Sequence, residues 1–159
     1  MRTQNHSVQE VDGDLLDQDV EAIVNPWNRN FIPWWLLLPQ GVSGAIKRRG
    51  GTAPFREVAR ARLLPLGGAV ATSAGRLPFK CIIHVAGLHA YWAASEKSIR
   101  LSTSNALQLA REMKLTSLAF PIIGGGTGGA NVDRAAAWMK DVFASEGCPQ
   151  DTRLVYFRR

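Results

Sequence analysis

The chain has 159 residues, 46% hydrophobic and 20% charged, which is enough for one well-cored domain spanning 1–159 and short for two. Its 19 Lys and Arg against 13 Asp and Glu give a formal charge of +6, favouring anionic ligands without choosing between nucleotide and polynucleotide. The most apolar window, Phe31 to Leu38, is interrupted by Pro33 and bounded by Pro39, so no membrane span is expected.

At the N-terminus, Arg2-Thr3-Gln4-Asn5-His6 lacks the basic and apolar regions of an export leader, and a cytoplasmic protein is expected. Ser7 to Val11 and Ala22 to Asn25 are predicted as the first two strands. Short helices follow over Ser43 to Arg49 and Pro54 to Leu63, then strands over Ala69 to Ser73 and Cys81 to Val85. The clearest helix runs from Ser95 to Lys114, with Ile99, Ala106, Leu107, Ala110 and Met113 on its apolar face. Ser117 to Phe120 reads as a strand, Asp133 to Glu146 as a helix stopping before Gly147, and Arg153 to Phe157 as the last strand. Strands alternating with helices predict an α/β fold with a mixed, mostly parallel sheet covered on both faces. Cys81 and Cys148 offer neither a disulfide framework nor metal-ligand spacing.

Two glycine-rich segments are candidate anion cradles: Gly41-Val42-Ser43-Gly44, and the run Gly124-Gly125-Gly126-Thr127-Gly128-Gly129 after the apolar Leu118 to Ile123. Glycine lets the backbone approach a ligand closely, and N–H groups at a strand-to-helix junction are natural phosphate donors. In such sheets ligands bind beyond the carboxyl ends of strands, where both segments fall.

In order, Gly13-Asp14-Leu15, Ala22-Ile23-Val24-Asn25-Pro26-Trp27-Asn28, Gly41-Val42-Ser43-Gly44-Ala45-Ile46, Leu77-Pro78-Phe79-Lys80-Cys81-Ile82-Ile83-His84 and Ala119-Phe120-Pro121 resemble the macrodomain family over nearly the whole chain. The resemblance implies a three-layer α/β/α sandwich that binds ADP-ribose, with no cofactor and no metal. By position it gives Asp14 the adenine amino group and Leu15 a neighbouring backbone donor, with Phe157 stacked on adenine. It gives the pyrophosphate to two walls of backbone donors, Gly41, Val42 and Gly44 on one side and Ile123, Gly124, Gly125, Gly126, Thr127 and Gly128 on the other. Asn28 falls to the distal ribose, Trp27 beside it, and Asn25 to holding the loop in shape. For Asp14 and Phe157 the plain readings are a turn cap and core packing.

The chain departs from the pattern at Ser43, where the best-known hydrolytic branch carries an aspartate. A serine without a neighbouring base is a poor acid/base group, and Ser43 also reads as a helix N-cap. Asn28 and Ser43 are nonetheless the catalytic candidates, with a water held by Asn28 or by substrate phosphate. Arg29 to Gln40, carrying Trp34 and Trp35, replaces the family's short approach, and reads as a wall over the distal ribose, as core, or as an exposed patch for a protein partner. Gly128 stands where many relatives carry an aromatic, which Trp27, Trp34 or Trp35 would replace. His84 is read as a core histidine, and the clusters around Lys47-Arg48-Arg49 and Arg56 as solvated faces.

The expected function is binding of ADP-ribose and removal of mono-ADP-ribosyl groups from modified protein or nucleic acid. The alternatives are a reader without turnover and an RNA- or poly(ADP-ribose)-binding domain.

Overall fold

A charge clasp at the surface end of the sheet organises the strands. In the computed structural model, which describes residues 7–30, 33–36, 41–88, 93–125 and 131–157, the Glu21 carboxylate accepts from the Thr116 backbone N–H at 2.7 Å and from the Thr116 hydroxyl, and pairs with Lys80. The Glu21 N–H in turn donates to Ser117 Oγ at 2.7 Å. These contacts pin together the starts of three strands that follow Glu21, Lys80 and Thr116 in sequence. The Lys80 and Thr116 donors hold the Glu21 carboxyl down at about 2.

The strands are β1 (Gln9–Asp12), β2 (Ala22–Trp27), β3 (Ala69–Thr72), β4 (Cys81–Ala86), β5 (Ser117–Pro121) and β6 (Asp151–Tyr156), in spatial order β1-β6-β5-β2-β4-β3. Every pairing is parallel except β3 with β4. The helices are α1 (Gly41–Gly50), α2 (Ala53–Ala59), α3 (Glu96–Glu112) and α4 (Val132–Glu146), with 3-10 turns at Leu15–Asp17 and Trp34–Leu36. The fold is therefore the expected mixed, mostly parallel α/β sheet between helical layers.

Alternation along the buried strands divides the core. Ala22, Val24, Ile83 and Phe120 face α3 and α4, meeting Ile99, Leu107 and Met139. Ile23, Trp27 and Ile82 face α1 and α2, meeting Ile46, Phe55 and Val58. α3 begins at a capping box in which Ser95 and Ser98 exchange hydrogen bonds, and α4 begins where Asn131 caps Arg134 N at 3.1 Å. No helix among the described residues is long and apolar enough to cross a membrane.

Two boundaries differ from the sequence reading. α2 stops at Ala59 rather than Leu63, because Arg62 takes a left-handed φ of 60° that ends helical hydrogen bonding. The Gly41 to Gly44 turn is itself the first turn of α1, so Ser43 lies inside the helix and does not cap it.

Candidate functional site

The β2 and β5 ladders part company early. They pair only at Ala22 with Leu118 and Ile23 with Ala119, whereas β2 stays paired to β4 from Ala22 to Trp27. Continued in the same register, Asn25 would face Pro121 and Pro26 would face Ile122, so each diverging strand places a proline, without an N–H, where the ladder would have gone on. Beyond this point the chain leaves β2 toward α1 on one face and leaves β5 toward α4 on the other. A crevice at the carboxyl ends of strands whose connections run to opposite faces is where open α/β sheets take ligands.

Asn28 stands at the mouth of this crevice, one residue past β2 and 5% exposed. Its Oδ1 accepts from Asn30 N at 2.6 Å, which fixes the orientation of the amide because a backbone N–H can only donate. The Asn28 Nδ2 group is buried and has no hydrogen-bond partner among the described residues. An orphaned buried amide is costly unless something else accepts from it.

Asn30 organises this loop, and the sequence reading passed it over. It adopts a left-handed φ of 63°, which asparagine tolerates better than most residues. Its Oδ1 accepts from Trp27 Nε1 at 2.7 Å, and its Nδ2 donates to Val58 O at 3.1 Å and Arg62 O at 2.6 Å. The Asn-Arg-Asn sequence just after a strand was the available signal. Trp27, expected beside the ligand, packs with its ring 5.3 Å from that of Phe55, and its N–H is taken by Asn30.

Behind the crevice runs a buried polar chain. Ser43 Oγ donates to Asn25 Oδ1 at 3.0 Å, Asn25 Nδ2 meets His84 Nδ1 at 3.0 Å, and His84 Nε2 meets Thr72 Oγ1 at 2.8 Å. Thr72 also donates to the Ser73 carbonyl at 2.9 Å. A carbonyl only accepts, so the single hydroxyl hydrogen of Thr72 goes to Ser73 and His84 must donate from Nε2. His84 Nδ1 is then the acceptor for Asn25, and every link is satisfied with the imidazole neutral. Burial drives the His84 pKa down to about 3, against a weaker opposing pull from the Glu57 carboxylate.

This chain revises two expectations. Asn25 does more than shape a loop, since it couples the second strand to α1 and to His84. Ser43 is not poised as a base: its hydrogen points into the protein, and the Asn25 amide separates it from the His84 imidazole. An amide side chain does not relay protons as an imidazole does, so Ser43 and His84 form no nucleophile–base pair.

The other predicted residues fall around the crevice in mixed states. Asp14 caps the Leu15–Asp17 turn, accepting from Leu16 N at 2.8 Å through Oδ1, while its Oδ2 lies 3.5 Å from Arg49 Nη1. The cap reading therefore holds for one oxygen. Leu15 is buried beside it, and Phe157, just past β6, is 70% exposed, which excludes core packing for that ring. Gly41 opens α1 at φ 57°, with Val42 half-buried and Gly44 buried in its first turn.

After β5, Gly124 turns the chain at φ 81°. Ile123 and Gly125 were expected to offer N–H groups to the ligand, but Ile123 N donates to Met139 Sδ at 3.5 Å and Gly125 N to Ile122 O at 3.1 Å. Both are turned inward. Gly126, Thr127 and Gly128 lie outside the described residues, as do His89, Tyr91, Trp92 and half of the segment from Arg29 to Gln40. Trp34 itself is half-buried under Lys47, whose Nζ sits 5.4 Å from the ring centroid, and Trp35 is 65% exposed.

A crevice at a topological switch point, floored by polar groups and flanked by a helix start and a glycine turn, is the ligand site expected of an open α/β sheet. The chain belongs to the macrodomain family: residues 24–139 match the family described as Macro domain. It is 41% identical over 157 residues to a macro domain-containing protein of Streptomyces griseus, covering 92% of this chain and 85% of that one. A macro domain-containing protein of Streptomyces coelicolor is 39% identical over 79% of this chain and 76% of its own length. The Oceanobacillus iheyensis macrodomain solved with ADP superposes with a TM-score of 0.82 at 26% identity, covering 100% of this chain and 87% of that one. A variant of the same macrodomain solved with ADP-ribose gives 0.81, covering 99% of this chain and 88% of its own.

Proposed function

We propose that this chain binds ADP-ribose in the crevice between β2 and β5. The observation that carries the reading is the unpartnered, buried amide nitrogen of Asn28, a donor built to meet a hydroxyl at the crevice mouth. In this reading the distal ribose lies against Asn28 and the pyrophosphate lies over the N-terminus of α1, whose ten residues align their backbone dipoles toward it. The Gly124 turn forms the opposite wall. Asp14 takes the adenine amino group through its Oδ2, and the exposed Phe157 ring stacks on the base.

Recognition, rather than turnover, is the activity the side chains favour. Among the described residues around the crevice, Ser43 is locked to Asn25 and His84 is buried and neutral. Removal of mono-ADP-ribosyl groups is the second reading, supported by the same Asn28 donor, which would hold a water beside the anomeric carbon while a substrate phosphate accepts its proton. Titration calorimetry with ADP-ribose tests the first reading; absence of binding heat overturns it. Assay of ADP-ribosyl release from mono-ADP-ribosylated protein and nucleic acid then separates reader from hydrolase.

A further inference from the structure

The helical layers differ in charge. Residues 41–80, which contain α1 and α2, hold eight Lys and Arg and one acidic residue, Glu57, whereas α3 and α4 together carry five of each sign. Glu57 is held in place by Ser73, whose backbone N–H donates to it at 2.8 Å and whose hydroxyl also donates, and its single charge leaves the face strongly basic. Arg56, Arg60, Arg62 and Arg76 are exposed and form no ion pair with a carboxylate among the described residues. Unpaired guanidinium groups at this density suit phosphate oxygens, which they meet as planar forks.

The basic face is joined to the crevice. Asn30 links the Asn28 loop to the carbonyls of Val58 and Arg62, and Arg29 Nε donates to Leu64 O at 2.8 Å, so the end of α2 and the crevice mouth form one hydrogen-bonded unit. The 3-10 turn carrying Trp34 and Trp35 packs on α2. An aromatic face 65% open to solvent beside unpaired arginines is the arrangement that stacks a base while cations follow the phosphates.

We propose that this face binds single-stranded nucleic acid, and that such a strand is the molecule presenting its ADP-ribosyl group to the crevice. The second half rests on the ADP-ribose reading above. Arg56, Arg60 and Arg62 contact successive phosphates, and Trp35 stacks on a base of the same strand. A duplex keeps its bases inside and cannot use Trp35 in this way.

The test is fluorescence anisotropy of a labelled, mixed-sequence 12-nucleotide single strand with the full chain, across a salt series. We expect log K to fall with log salt at a slope of about −2 to −3, from about 0.7 per phosphate for three or four contacts. The triple variant Arg56→Glu, Arg60→Glu, Arg62→Glu should weaken binding at least about twentyfold and flatten that slope. Trp35→Ala should weaken it about tenfold with the slope unchanged. Calorimetry with ADP-ribose should agree within about twofold in all three proteins, which also shows that the variants fold.

Absence of oligonucleotide binding, equal binding in wild type and triple variant, or tighter binding of the matching duplex overturns the proposal. So does displacement of the strand by poly-glutamate at equal charge concentration. If the strand binds as expected but ADP-ribose gives no heat, the surface stands and the reading of the crevice falls.

Discussion

Asn25 and His84 face each other across the parallel β2–β4 ladder, and their side chains are hydrogen-bonded at 3.0 Å with the imidazole as acceptor. That single contact ties the crevice floor to the protonation state of a buried histidine. Protonated, His84 would turn Nδ1 into a donor facing the Asn25 amide nitrogen, another donor, and the chain would break.

The first prediction follows from the sign of that linkage. The folded His84 pKa of about 3 lies below the ordinary value near 6.5, so between these limits the unfolded chain binds more protons. Stability should be fully present above about pH 6.5 and decline as pH falls toward 3, by an amount on the order of a few kcal/mol. His84→Gln should be less stable at neutral pH and should lose less on acidification. Urea unfolding of both proteins from pH 7 to pH 4 gives a difference curve; parallel curves would sink the assignment.

A second prediction concerns Ser43. Ser43→Ala removes the donor to a buried amide oxygen and should cost about 1 kcal/mol, read as a fall of a few degrees in Tm. ADP-ribose affinity should change less than about threefold. Should the protein release ADP-ribosyl groups, its rate should survive the substitution; loss of the rate with affinity intact would restore Ser43 to a catalytic role.

For Asn28 the balance is reversed. Asn28→Ala deletes the orphaned nitrogen along with the acceptor for Asn30 N, two effects on stability of opposite sign, so Tm should move little. Its ADP-ribose Kd should rise about tenfold or more by calorimetry. An unchanged Kd would remove the crevice mouth from the binding site.

Phe157 is exposed, so truncating it should leave the fold almost untouched. If the ring stacks on adenine, Phe157→Ala should weaken ADP-ribose and ADP by a similar factor of about ten, while ribose 5-phosphate, lacking the base, should bind both proteins equally.

The strands were readable because β2 and β4 are short apolar runs and the sheet they build buries both faces. Helices with strong caps, such as α3 behind Ser95, were equally plain. α1 was misread at its start because glycines at 41 and 44 lower helix propensity, and only packing under Ile46 and the Ser43 bond to Asn25 keep that turn helical. The polar chain was illegible for a different reason: Asn25 and His84 are 59 positions apart, and nothing local in either segment announces the other. Asp14 and Phe157 were placed by resemblance, yet whether each is engaged or exposed depended on neighbours, Leu16 and Arg49 for the first and open solvent for the second.

The early parting of β2 from β5 means that the connections on the two sides of the crevice run to helices on opposite faces of the sheet, α1 after β2 and α4 after β5. Past Ile23 no backbone ladder among the described residues joins β2 to β5. A ligand lodged there acts as a cross-brace between the two connections, so its binding should raise the melting temperature.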